Sequence, residues 1–318
     1  MATLSDRSFR YEVIEGWAKL PVGFLLHDVA AVAMDRYDNV YLFTRGEHPV
    51  VVLDREGNFL RSWGHGIFKR PHGMHIGIDD AVYLTDDGNH VVYKFSLEGK
   101  LLLTVGIPGQ PAPLMSGKPF HRCTHTALSP RGDIYISDGY GNACIHKFSP
   151  DGEHLKTWGQ SGCAPGEFYI PHNMVCDEEG WLYVADRENH RIQVFDGEGN
   201  YETQWNNLHR PCALCMGAGA NPLFYIGELG PALVATLKFP NLGPRLTILD
   251  AKGRTLAQLS AGAAGVGPGR FIAPHGIAVD SHGDVYIGEL SAAGWPLMFP
   301  DSEKPAVLPS LHKFRRIA

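Results

Sequence analysis

The chain has 318 residues, 44% hydrophobic and 19% charged, with a formal net charge of −6. That composition suits a globular protein with a core large enough to need neither metal nor disulfides merely to fold. The absence of any Lys/Arg run argues against nucleic acid and anionic membrane as partners, and no apolar stretch approaches the ~20 residues of a spanning helix.

Met1–Arg10 is polar and lacks the apolar run of a signal peptide, so the expected compartment is the cytoplasm. Cysteines 123, 144, 163, 176, 212 and 215 are too few and too scattered for a disulfide scaffold. Cys212-x-x-Cys215 has no second pair to complete a zinc site and reads as buried thiols.

In chain order, Tyr11–Trp17 (YEVIEGW) reads as a strand standing before the first copy of a repeat. The repeat runs NVYLFTRGEHPVVVLDREGNFLRSWG from Asn39 and AVYLTDDGNHVVYKFSLEGKLLLTVG from Ala81. It returns as DIYISDGYGNACIHKFSPDGEHLKTWG from Asp133 and WLYVADRENHRIQVFDGEGNYETQWN from Trp181. Two further copies, LFYIGELGP from Leu223 and DVYIGELSA from Asp284, are followed by the insertions Pro231–Pro244 and Ser291–Ser310. Both insertions are apolar and Pro/Gly-rich, and are expected to cover the site and shape a pocket for a partly apolar substrate.

The anchors Tyr41, Tyr83, Tyr135, Tyr183, Tyr225 and Tyr286 each lie in an alternating strand bounded by Gly/Asp/Asn turns, with no helical period. Four short strands repeating every ~40–50 residues are the pattern of a β-propeller. The last copy stops after a third strand, Leu311–Ile317, and Tyr11–Trp17 is predicted to supply its fourth, removing an open edge. The predicted fold is all-β: one six-bladed propeller domain over residues 1–318, its last blade closed by the N-terminal strand.

Ahead of the anchors, at the start of each innermost strand, stand Pro71-His72-Gly73, Pro171-His172-Asn173 and Pro274-His275-Gly276. The other copies place Ala30, Thr124 and Cys212 at the histidine position. One such histidine would be ordinary strand-start filler. Three in alternate copies, each after proline, predict imidazoles about 120° apart around the axis. Three neutral imidazoles with an open fourth position suit catalytic zinc, and another divalent transition metal accepts the same donors.

On Pro71–Gly73, SDGYGN (Ser137–Asn142), ADRENHRIQ within Ile170–Gln193, Pro274–Asp280 and VYIG (Val285–Gly288), the chain resembles the catalytic domain of peptidyl-α-hydroxyglycine α-amidating lyase, an NHL-repeat propeller. The resemblance covers roughly Val29–Val285. It implies zinc on His72, His172 and His275, a catalytic tyrosine at Tyr140, and substrate-binding arginines at Arg45 (FTRGEH) and Arg187 (ADREN). The set is chemically coherent, since arginine binds carboxylate bidentately and a phenol beside cations suits a general base. The resemblance also implies a calcium held by an aspartate after the last histidine, with carbonyls at Val29 and Met74. Gly276 stands at the aspartate position, so calcium is disfavoured.

Some polar residues lie outside the resemblance: His27, Asp28, His125, Glu228 and Glu289. The two glutamates either face the site as acid or base, or accept turn N–H groups. The expected function is a zinc-dependent lyase, cleaving a carbinolamide-type C–N or C–O bond in a small α-hydroxy acid or α-hydroxy amide. Its partner would be a small-molecule substrate bearing a carboxylate. The alternatives are a zinc-dependent lactone or ester hydrolase and a non-catalytic NHL binding module.

Overall fold

Every anchor tyrosine lies in a second strand buried along its whole length, from Val40–Thr44 through Ala81–Asp86, Ile134–Asp138, Leu182–Asp186 and Phe224–Glu228 to Val285–Glu289. Such strands are covered on both faces, which is why they read as apolar runs rather than alternations. Fourth strands such as His154–Trp158 are largely exposed and polar. The computed structural model describes residues 2–219 and 221–317. Its strands form six small antiparallel sheets, and the fold is a six-bladed β-propeller.

The chain's internal contacts group into two units. Residues 63–211 carry three four-stranded blades, whose innermost strands are Pro71–Ile76, His125–Leu128 and Pro171–Cys176. Residues 1–62 and 212–318 carry the other three, with innermost strands Val29–Met34, Pro211–Met216 and Pro274–Val279.

The last blade is closed by the N-terminus, but the closing strand is Phe9–Ile14 rather than Tyr11–Trp17. It pairs with Leu311–Arg316, Tyr11 opposite Arg316 and Val13 opposite Phe314. Phe9, Tyr11 and Val13 alternate inward, which sets this register. A turn through Arg7 (φ 53°) then adds a fifth strand, Thr3–Asp6. Trp17 leaves the strand to pack edge-on against Tyr286 at 5.1 Å and to donate its indole N–H to the Arg55 carbonyl.

Two recurrent devices hold the blades. Anchor hydroxyls reach turn carboxylates: Tyr83 donates to Asp79 (2.8 Å), Tyr183 to Asp177 (3.0 Å) and Tyr286 to Asp280 (3.1 Å). At the end of a second strand, a buried acid accepts backbone N–H groups from the loop entering the innermost strand. Asp86 takes those of Lys69 and Arg70, Asp138 that of His121, Asp186 that of Tyr169, and Glu289 those of Ile272 and Ala273. Three of these loops lead directly into Pro71-His72, Pro171-His172 and Pro274-His275, so the braces position the histidines.

Glu289 is thus a brace, also 2.9 Å from His312 Nε2. Glu228 is held by Arg245 through two bonds of 2.8 and 2.9 Å and by the Thr247 hydroxyl. Both side chains are buried and engaged with backbone or a cation. The helix Ser291–Met298 opens one insertion, and among the described residues no helix is long and apolar enough to cross a membrane. Leu237–Asn241, Gly243, Pro244 and Met298 line a cleft with Asp6, Arg245 and Gln258, and none of the predicted site residues lines it.

Candidate metal centre

Within residues 63–211, His72 and His172 are both buried, with 1% and 2% exposure. Tyr140 leaves the end of Ile134–Asp138 and sets its hydroxyl 3.1 Å from His72 Nε2 and 3.2 Å from His172 Nε2. His72 Nδ1 lies 2.8 Å from the Thr124 carbonyl. A carbonyl only accepts, so Nδ1 carries the hydrogen and Nε2 keeps its lone pair. Tyr140 therefore donates to His72. Thr124 is itself pinned, its hydroxyl lying 2.7 Å from Ser137 Oγ and donating to the Pro171 carbonyl at 2.8 Å.

In the other unit His275 is built in the same way, its Nδ1 2.6 Å from the Ala30 carbonyl. Thr124 and Ala30 occupy the histidine position of the repeat one blade on, so the repeat itself sets both tautomers. Glycine after the histidine allows this approach. A Cβ at Gly73 would stand 2.4 Å from the Thr124 oxygen, and one at Gly276 would stand 2.5 Å from Ala31 Cα. Gly276 thus supplies no carboxylate, and the backbone beside it leaves no room for one.

His72, His172 and His275 together could hold a metal ion. The donors are imidazoles, with the ring hydrogen on Nδ1 in His72 and His275, and no carboxylate is among them. That set fits zinc or a similar divalent transition metal and is a poor match for a hard cation.

Arg187, at the corner after Leu182–Asp186, donates from Nη1 to the Tyr140 hydroxyl at 3.4 Å. Its Nε rests 2.7 Å from Glu188, which Arg210 also holds through two bonds of 2.9 Å. Burial pushes the Glu188 carboxyl up, but Arg210 and Arg187 outweigh it and keep it below the usual range. Arg45 occupies the matching corner after Val40–Thr44, where its N–H donates to the Asp28 carbonyl at 2.9 Å. Burial raises the Asp28 carboxyl, against the Ala292 and Ala293 N–H groups and the Arg45 charge.

A third arginine was not anticipated from the sequence: the Arg122 guanidinium carbon lies 4.5 Å from the Tyr140 ring centroid. A signal existed, because Arg70, Arg122 and Arg210 all stand two residues before a histidine-equivalent position. His125 is buried, and burial together with the nearby His75 pushes its pKa down to about 3, so it stays neutral. Cys123, Cys144 and Cys212 are buried.

A family model for the NHL repeat matches residues 168–195. Mouse (Mus musculus) NHL repeat-containing protein 3 is 30% identical over 306 residues, 91% of this chain and 83% of that protein. Its human (Homo sapiens) counterpart is 35% identical over 210 residues, 62% of this chain and 60% of that protein. Peptidyl-alpha-hydroxyglycine alpha-amidating lyase 1 of Drosophila melanogaster is 35% identical over 187 residues, 54% of this chain but 34% of the lyase. The chain therefore matches three fifths of the human relative and about a third of the fly enzyme. A solved streptogramin B lyase structure aligns with a TM-score of 0.62 at 12% identity, covering 99% of this chain and 98% of that one, a likeness of fold.

Proposed function

This chain belongs to the NHL repeat-containing protein 3 family, and we propose that within it the protein is a zinc-dependent lyase acting on a small α-hydroxy acid or α-hydroxy amide. The observation that carries this reading is the Tyr140 hydroxyl set 3.1 and 3.2 Å from two buried imidazole nitrogens. The similarity to an amidating lyase supports it.

His72, His172 and His275 would hold the ion. A divalent ion there would supply Lewis-acid polarisation of a substrate hydroxyl. Arg187 and Arg45 bind the substrate carboxylate and orient the carbinol carbon. In its phenolate form, with its own proton released beforehand, Tyr140 beside the Arg187 guanidinium takes the hydroxyl proton, and the freed electron pair becomes the second bond of a carbonyl. The C–N bond breaks, its electron pair leaves with the nitrogen, and that nitrogen takes up the proton. The products are a carbonyl acid and an amide.

Metal analysis of the purified protein, with α-hydroxyhippurate as trial substrate, tests the reading. Near-stoichiometric zinc, lost on His172→Ala, with release of a carbonyl product, is the expected result. Folded, metal-free protein would sink it and favour the non-catalytic binding module, which suits relatives named only for their repeats. Turnover of a simple lactone in place of α-hydroxyhippurate would mark a hydrolase.

A further inference from the structure

We propose that Arg122 is a substrate-binding residue, whose guanidinium over the Tyr140 ring receives the substrate carboxylate and selects anionic over neutral α-hydroxy compounds. The inference deepens the proposed function and rests on it for the identity of the ligand. The placement itself stands on contacts within residues 63–211.

Arg122 is held at both ends. Its backbone N–H donates to His90 Nδ1 at 3.0 Å, and its Nη2 donates to Asp87 Oδ2 at 2.9 Å. Its φ of 64° turns the chain back at the entry to the innermost strand, as at Ile170 (65°) and Arg210 (51°). The turn therefore belongs to the repeat. Particular to Arg122 is where the turn delivers the side chain, 4.5 Å from the Tyr140 centroid, within cation–π range. The Asp87 carboxylate is fully buried while the Arg122 side chain is 34% exposed. One side of the guanidinium is thus anchored, and part of the side chain remains open to a ligand.

Charge points the same way. Asp87 faces both Arg122 and Arg70, the latter at 3.5 Å. Glu188 likewise faces both Arg187 and Arg210. Each carboxylate is shared by two guanidiniums, and one guanidinium of each cluster, Arg122 and Arg187, reaches the same phenol. The planar fork of a guanidinium such as that of Arg122 matches a carboxylate.

The test is equilibrium binding of mandelate, an α-hydroxy carboxylate with no C–N bond to break, and of its neutral counterpart mandelamide, to the intact metal-loaded protein. Wild type should prefer mandelate about tenfold or more, and Arg122→Gln should weaken mandelate by about 10–100-fold while leaving mandelamide unchanged. Arg122→Lys, which keeps the charge but not the fork, should fall between.

Equal mandelate affinity in folded Arg122→Gln and wild type, or a wild type that does not prefer mandelate, overturns the proposal. So does a variant that loses turnover with unchanged mandelate binding, since Arg122 would then only prop the ring. Should Arg122→Gln fail to fold, an unchanged mandelate affinity in Arg122→Lys overturns it. Failure of the lyase reading shows separately, as absent α-hydroxyhippurate turnover with the mandelate pattern intact.

Discussion

Alanine at Gly276 should destabilise the protein by about 1–3 kcal/mol, the usual cost of overpacking a close contact. The added Cβ would stand 2.5 Å from Ala31 Cα, 2.9 Å from Ala31 C and 2.8 Å from Val32 N. Carbon pairs rest at ~3.5–4.0 Å, so Pro274–Val279 and Val29–Met34 must separate by about 1 Å. The obstacle is backbone, with no flexible side chain to swing aside. The strand that moves carries Ala30, whose carbonyl meets His275 Nδ1 at 2.6 Å. Lengthening that contact by about 1 Å breaks it and releases the imidazole tautomer, which should weaken metal binding by about 10–100-fold.

Urea unfolding reads the stability, as a lower midpoint at constant m. In a thermal melt, about 2 kcal/mol corresponds to roughly 3 °C for a chain of this size. Chelator competition reads the metal affinity. An alanine variant within about 0.5 kcal/mol of wild type and with unchanged metal affinity would refute the close-approach argument. Aspartate at 276 meets the same backbone and should be at least as destabilising, without creating a calcium site.

Arg191→Met should cost about 3–5 kcal/mol. The guanidinium bonds Asp186, Gln204 and the carbonyls of Cys163, Ala164 and Glu167, all at 2.9–3.0 Å, and its loss leaves the buried Asp186 without its cation. A loss under about 1 kcal/mol by urea unfolding would contradict this.

His125 gives a pH signature. Its folded pKa of about 3 lies below the unfolded value near 6.5, so the unfolded chain binds the extra proton. Its contribution is complete above pH 6.5 and falls by up to about 1.4 kcal/mol per pH unit as the pH drops toward 3. His125→Gln should flatten that slope in stability measured from pH 7 to 4; an identical slope would count against a buried neutral His125. Tyr140→Phe should lower kcat by about 10²–10⁴-fold with metal content unchanged, and unaltered turnover would remove Tyr140 as the base.

Periodicity made much of this protein legible before any coordinates. A repeat turns sequence position into place, so six tyrosine anchors gave six blades and Pro-His in alternate copies marked three equivalent strand starts. The neighbours of those positions could not be read in the same way, because they depend on contacts between residues distant in the chain. Only packing against Leu311–Arg316 sets the closing strand at Phe9–Ile14, through the inward faces of Phe9, Tyr11 and Val13. Glu228 and Glu289 look alike in GEL motifs, yet one answers Arg245 and the other backbone N–H groups and His312. Arg122 lies 18 residues before Tyr140 in the chain and reaches it through a left-handed turn fixed by Asp87 and His90. The sequence alone determined the repeat and the identity of the three histidines. Tertiary structure decided the tautomers of His72 and His275 and the charged groups around Tyr140, because carbonyl acceptors and shared carboxylates come from neighbouring blades and corners.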